Sequence, residues 1–180
     1  MNLQPTHLQS DLIKLIPLQE KDFDNLFKVA SDPLIWEQHP TKNRYQKEVF
    51  HSFFDGGIES KGAFLVVDLV TEAIIGSSRY YDLDAENRSV AIGYTFISRQ
   101  YWGRNFNRSL KNLMINYAFE SVESVIFHIG ENNIRSQMAI GKIGAEKIGE
   151  ESMTYNGDLQ SNLNFVYRIS KENWKSFNKS

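Results

Sequence analysis

Short apolar runs dominate this chain, and they give way to helical spacing in four places. Leu12, Ile13, Leu15 and Ile16 predict a first strand over 11–18, with Pro17 near its end. Phe23, Leu26, Phe27 and Ala30 then recur at helical intervals, so 20–31 reads as a helix that Asp32-Pro33 breaks. Residues 34–40 form a short segment with room for one helical turn. A second helix is expected over 43–54, with Gly56-Gly57 as its stop. Residues 63–67 and 74–82 read as two strands joined by a turn over 68–73, and 82–88 is a second polar turn.

The stretch 89–119 organises the rest. Val90 to Ile97 is β-branched and aromatic, which predicts a strand. Leu110, Leu113, Met114, Tyr117 and Ala118 then fall on one helical face. Between them lies a polar loop with Gln100, Gly103, Arg104, Asn105 and Asn107. A strand, a glycine loop and a helix start make an anion site, because the first helical N–H groups lack partners and the macrodipole favours negative charge. Gly103 lets backbone approach a ligand, and Asn105 tolerates the left-handed region. Arg104, Arg108 and Lys111 follow at i, i+4 and i+7 and would line one side of the first turns, either as phosphate contacts or as a solvated face.

Further on, 124–129 is a short apolar strand, and Asn132-Asn133 cap a helix that runs to about Lys142 and ends by Gly144. Residues 145–155 and 163–169 read as a last hairpin, joined by a loop containing Asn156-Gly157-Asp158. The tail 171–180 is polar and expected to fray. The order is β-α-α-β-β-β-α-β-α-β-β, an α+β mixed sheet with helices packed on it.

Composition narrows the options. The 180 residues contain no evident linker, repeat or low-complexity run, so one domain over 1–180 is expected. A net charge of −2 provides no global basic field for nucleic acid or anionic membrane. The absence of cysteine removes disulfides, thiolate metal sites and a cysteine nucleophile. The first residues lack the basic start and apolar core of a signal peptide, and no apolar run has the length of a membrane span. A cytoplasmic location is the expectation.

Two stretches coincide in a recognisable way. Gln100-Tyr101-Trp102-Gly103-Arg104-Asn105 resembles the Q/R-x-x-G-x-G/A acyl-CoA loop of the GNAT (Gcn5-related) N-acetyltransferases. Asn133-Ile134-Arg135-Ser136, followed by Lys142-Ile143-Gly144, resembles that superfamily's N-x-x-S…K-x-G segment. The Tyr-Trp-Gly variant below Ile92-Gly93-Tyr94 is similar to the branch with the ribosomal-protein N-terminal acetyltransferases. The resemblance implies a mostly antiparallel sheet with a splayed central parallel pair, 89–97 and 124–130, and helices on both faces. It implies acetyl-CoA as co-substrate and no metal. The pyrophosphate would sit on the N–H groups of Trp102, Gly103, Arg104, Asn105, Phe106 and Asn107, with Gln100 and Arg108 beside it. The pantetheine arm would pair with Phe96, Ile97 and Ser98, and a backbone N–H near Phe96 or Ile97 would polarise the acyl carbonyl.

The chain departs from that pattern at three places. Asn105 replaces the second small residue of the loop. Ala91 stands where many relatives of this branch keep a Glu that orders a proton-relaying water, and Ile140 stands where other members place a Tyr that protonates the CoA thiolate. Ser136 and His128 are the remaining catalytic candidates. Ser136 either faces the CoA sulfur as an acid or bonds the first helical turn. His128 either serves as a base beside the reaction centre or packs on its strand. Asn133 binds pantetheine or caps its helix. One of Tyr80 and Tyr81 faces the binding side of the sheet and the other the core. Glu131 is a base on a loop or a surface carboxylate.

The resulting expectation is transfer of an acetyl group to a primary amine, a protein N-terminus or a small molecule, by direct attack in a ternary complex. A non-catalytic acyl-CoA-binding regulatory module is the alternative, and a ligand-free structural domain a third reading. No nucleic-acid or membrane partner is expected, and the protein is a monomer or a homodimer. The missing Glu favours an α-amine acceptor, whose pKa of about 7.7–8.0 demands little of a base.

Overall fold

A computed structural model describes residues 1–154 and 161–177. The chain runs β1 (Ile13–Pro17), α1 (Phe23–Ala30), α2 (Lys47–Ser60), β2 (Ala63–Asp68), β3 (Ile74–Asp84), β4 (Ser89–Ile97), α3 (Phe106–Ala118), β5 (Ser124–Gly130), α4 (Ile134–Gly141), β6 (Glu146–Met153), β7 (Asn162–Ser170) and α5 (Lys171–Phe177). Short 3₁₀ turns precede α1 (Glu20–Asp22), follow it (Pro33–Ile35) and precede α3 (Arg99–Tyr101). The strands form one seven-stranded sheet in the order β1-β2-β3-β4-β5-β7-β6. Every pairing is antiparallel except β4 with β5. The α+β class, the mostly antiparallel sheet and the central parallel pair agree with the expectation. Among the described residues, no helix is long and apolar enough to cross a membrane.

The sheet separates two cores. On one face α1 and α2 pack Leu26, Ala30, Phe50, Phe53 and Phe54 against Leu65, Val67 and Phe96, with Trp36 closing the layer. On the other, α3, α4 and α5 pack Leu110, Met114, Ile115, Ile140 and Trp174 against Ile13, Val66, Val90, Ile92, Val125 and Phe127. The alternation along β2 shows the division: Phe64 and Val66 serve one core, Ala63, Leu65 and Val67 the other.

Three boundaries differ from the sequence reading. Helix α2 starts four residues later and runs through Gly56-Gly57 to Ser60, where Lys61 takes the left-handed conformation at the C-cap. Gly57 is tolerated there because the helix lies close to the sheet, and a Cβ would stand 3.0 Å from Leu18 and 3.2 Å from the Arg79 guanidinium. Strand β3 continues past Asp82 to Asp84 by an irregularity at Asp82, φ 47°. The tail does not fray over 171–177. It forms α5, because Trp174 is buried and its indole N–H donates to Asn116 Oδ1 at 2.6 Å. The expected loop Asn156-Gly157-Asp158 lies outside the described residues.

Candidate active site

The site starts from an interruption in β4. Before it, Val90 and Ile92 face the α3 core; after it, Phe96 belongs to the α1–α2 core and Ile97 to the α3 core. The parity flips because the pairing with β3 shifts between Ser77–Phe96 and Arg79–Gly93, with Tyr94 at φ 52°. This is a bulge, which bends a strand and re-aims its side chains. The partner strand then departs as well. Parallel pairing of β4 with β5 consists of Ser89–Ser124, Val90–Val125 and Ala91–Ile126, and no pair follows. From Ile92 to Ile97, β4 therefore has no strand on its β5 side, while β5 continues fully paired with β7. The result is a wedge open towards the end of β4.

The loop at the mouth of the wedge holds two left-handed residues, Gly103 at φ 73° and Asn105 at φ 65°. Nothing lies within 4 Å of where a Gly103 Cβ would be, so the space beside it is open. Asn105 is the N-cap of α3 and makes no side-chain cap bond, which leaves the first N–H groups of that helix directed outward. Gln100, Arg104 and Arg108 are exposed at this rim. Trp102 is anchored by donation from its indole N–H to Ile97 O at 2.8 Å.

Lys111 does not join that rim. Only 5% of it is exposed, and it occupies the apolar face with Met114, Ile115 and Ala118. Its ammonium donates to Thr95 Oγ1 at 2.7 Å and lies 5.6 Å from the Phe127 ring centroid. Thr95 also shares a 2.7 Å hydroxyl contact with Ser78. Burial alone lowers the Lys111 pKa to about 7. The spacing 111, 114, 115, 118 would have marked this position as internal, but its charge reads as surface.

The other candidates separate into two groups. Tyr80 is core, its hydroxyl donating to Met114 O at 2.6 Å. Tyr81 faces the opposite side, and its hydroxyl lies 2.8 Å from His128 Nδ1. His128 Nε2 in turn lies 3.5 Å from Glu151 Oε2 on β6. Burial holds the His128 pKa below the usual imidazole value, against the opposing pull of Glu151 and Asp82. Ser136 sits in the first turn of α4, where its N–H donates to Asn133 Oδ1 at 3.2 Å, so Asn133 caps the helix. Ser136 and His128 share no hydrogen bond. Glu131 is exposed, and its carbonyl accepts from Gln137 at 2.8 Å.

Arg135 escaped the sequence reading, although it lies inside the Asn-x-x-Ser quartet. Its guanidinium stacks 4.1 Å from the Trp102 ring centroid and donates to Ile35 O at 3.1 Å, while its backbone N–H donates to Gln38 Oε1 at 2.9 Å. Arg99 pairs with Asp32 at 2.5 Å. These contacts fasten α4, the loop and the 32–38 segment around the wedge.

The family model of the acetyltransferase (GNAT) domain matches residues 13–146. A GCN5-related N-acetyltransferase from Brucella melitensis superposes with a TM-score of 0.77 at 16% identity, over 98% of this chain and 85% of that one. A spermidine N-acetyltransferase from Vibrio cholerae, solved with CoA and spermine, gives 0.69 at 15% identity, over 92% and 99%. RimJ from Mycobacterium smegmatis, in complex with CoA-disulfide, gives 0.70 at 14% identity, over 94% and 90%. At such identities the likeness is one of fold. A search of curated proteins gave no match. The chain belongs to the GNAT family of acetyltransferases. It is an acyl-CoA-dependent acetyltransferase.

Proposed function

We propose that the protein transfers the acetyl group of acetyl-CoA to a primary amine by direct attack in a ternary complex. The observation that carries this reading is the early end of the β4–β5 ladder, which leaves β4 backbone groups from Ile92 to Ile97 without a strand beside the open loop at Gly103. A pantetheine arm carries amides that pair with such an edge at Phe96, Ile97 and Ser98. Its pyrophosphate fits the N–H groups of Gly103, Asn105, Phe106 and Asn107, since those of Trp102 and Arg104 already donate to Arg99 O and Tyr101 O, with the Arg104 and Arg108 side chains adding charge. A backbone N–H near Phe96 or Ile97 then faces the carbonyl oxygen as it gains charge.

The amine enters from the α1–α2 side, where Tyr81, Tyr94 and His128 stand. His128 is neutral near pH 7 because burial lowers its pKa, so it accepts a proton through water. Ala91 and Ile140 are both buried and apolar, so neither supplies a proton carrier. An α-amine, with a pKa of about 7.7–8.0, suits so modest a base. Ser136 offers its hydroxyl to the sulfur as a hydrogen-bond donor.

The test is thiol release from acetyl-CoA by purified protein, with α-amines, polyamines and amino sugars compared at equal concentration. Amine-dependent release with α-amines leading supports the reading. Calorimetric binding of CoA without release for any amine would establish the non-catalytic acyl-CoA module instead.

A further inference from the structure

We propose that Lys111 is the proton donor to the departing CoA thiolate, reaching the sulfur from the α3 side of the wedge between β4 and β5. The inference rests on the reading that acyl-CoA lies in that wedge. Three observations carry it. First, the ammonium reaches both strands beyond their last shared pair, Ala91–Ile126: Thr95 of β4, four residues past Ala91, binds it at 2.7 Å, and the Phe127 ring of β5, one residue past Ile126, lies 5.6 Å from it. Secondly, it is a buried cation without a carboxylate. Lys14 on β1 pairs with Glu72, Arg79 on β3 donates to Phe53 O, His128 on β5 turns to Tyr81 and Glu151, and Arg108 one turn earlier on α3 is exposed. None of these alters its titration, which burial alone sets. An isolated internal charge is costly unless an anion forms beside it or it gives up its proton. Thirdly, Thr95 lies next to the bulge at Tyr94, so the group is fixed at the turn in β4 that receives the acyl end.

The step balances. Attack forms the C–N bond, and collapse of the adduct breaks C–S and leaves the electron pair on sulfur. One proton moves from Lys111 Nζ to that sulfur, giving free thiol and a neutral lysine. The adduct nitrogen loses its own proton through water to His128, and solvent reprotonates Lys111. An alkyl thiol titrates near 8.5, above the value of about 7 that burial gives Lys111, so the transfer runs downhill. A serine hydroxyl is a far weaker acid than a thiol, so Ser136 orients the sulfur without protonating it.

The test uses the full chain with Lys111→Met and Lys111→Arg. With saturating acetyl-CoA and amine, wild-type kcat is expected to fall above the titration of Lys111; Lys111→Met is expected to lower kcat by about 10²-fold, to leave the calorimetric Kd for CoA within about threefold, and to lack that alkaline fall. Lys111→Arg keeps the charge but holds its protons far too tightly to release one to the thiolate, and is expected to remain as slow. A kcat within twofold of wild type in either variant would overturn the proposal. Should both variants fail to fold, the outlying lysine ¹³Cε resonance of wild type decides: a different shift with CoA than with desulfo-CoA supports contact with sulfur, and identical shifts refute it. Failure of wild type to bind CoA at all would instead sink the underlying reading of the wedge.

Discussion

Replacing Lys111 by methionine should stabilise the protein at neutral pH, and the gain should vanish in alkali. The folded chain holds this lysine at about 7 against 10.5 for the free side chain. Below pH 7 both folded and unfolded chains carry the charge, and the folded one bears the whole burial penalty. Between 7 and 10.5 the unfolded chain binds a proton that the folded chain does not, so wild-type stability rises with pH. Above 10.5 both are neutral and the penalty is gone. At about 1.4 kcal/mol per pH unit, that interval sets a ceiling of about 5 kcal/mol. The hydrogen bond lost to Thr95 is worth about 1 kcal/mol, and the Thr95 hydroxyl keeps its Ser78 partner. A net gain of about 2–4 kcal/mol at pH 7 follows, or a Tm increase on the order of 10 °C at about 2–4 °C per kcal/mol. Urea unfolding of both proteins from pH 6 to 10.5 reads the difference directly. Parallel stability curves across that range would show that the amine is not buried as a charge, and would refute the reasoning.

Gly103→Val should weaken CoA binding at least tenfold by calorimetry, because it fills the open space of the loop and costs about 1–2 kcal/mol of left-handed strain; unchanged affinity would remove the loop from the site. Trp174→Ala should cost about 3–5 kcal/mol, read as a lowered urea midpoint, since the ring is buried and its N–H is bonded to Asn116; a loss under 1 kcal/mol would mean that α5 is dispensable. His39 lies near Thr41 N–H and the Arg44 guanidinium at 2.9 Å each, and burial with Arg44 keeps its pKa well below 6.5. The unfolded chain therefore takes up a proton below pH 6.5 that the folded chain refuses, so stability should fall between pH 6.5 and 5, and His39→Asn should flatten that fall.

The strand and helix order was legible because alternation and helical spacing are strong in this chain, and the left-handed Asn105 followed from its side chain. The length of the β4–β5 ladder was not legible. Nothing in 89–97 or 124–130 states how many rungs two parallel strands share, and only the family resemblance suggested a splay. Helix α5 was hidden because Trp174 and Phe177 are its only large apolar residues among lysine, serine and asparagine. Gly56-Gly57 misled because a helix lying close on a sheet favours the residue that usually ends one. Lys111 read as a phosphate contact or part of a solvated face, and Arg135 drew no reading of its own. One lies inside and the other against an indole ring, and tertiary packing decides both.

Three rungs are a thin seam for a seven-stranded sheet. The sheet is two leaves, β1 to β4 and β5 to β6, joined at Ser89–Ala91 and bridged by the Arg135–Trp102 stack. A ligand lying in the gap with its own amides would act as a missing slat, and the chain would count it as part of its own scaffold. By mass action such a guest raises global stability by about 2.7 kcal/mol at a hundredfold excess over Kd. Amide protons far from the ligand, on β7 and β2 alike, would then exchange more slowly.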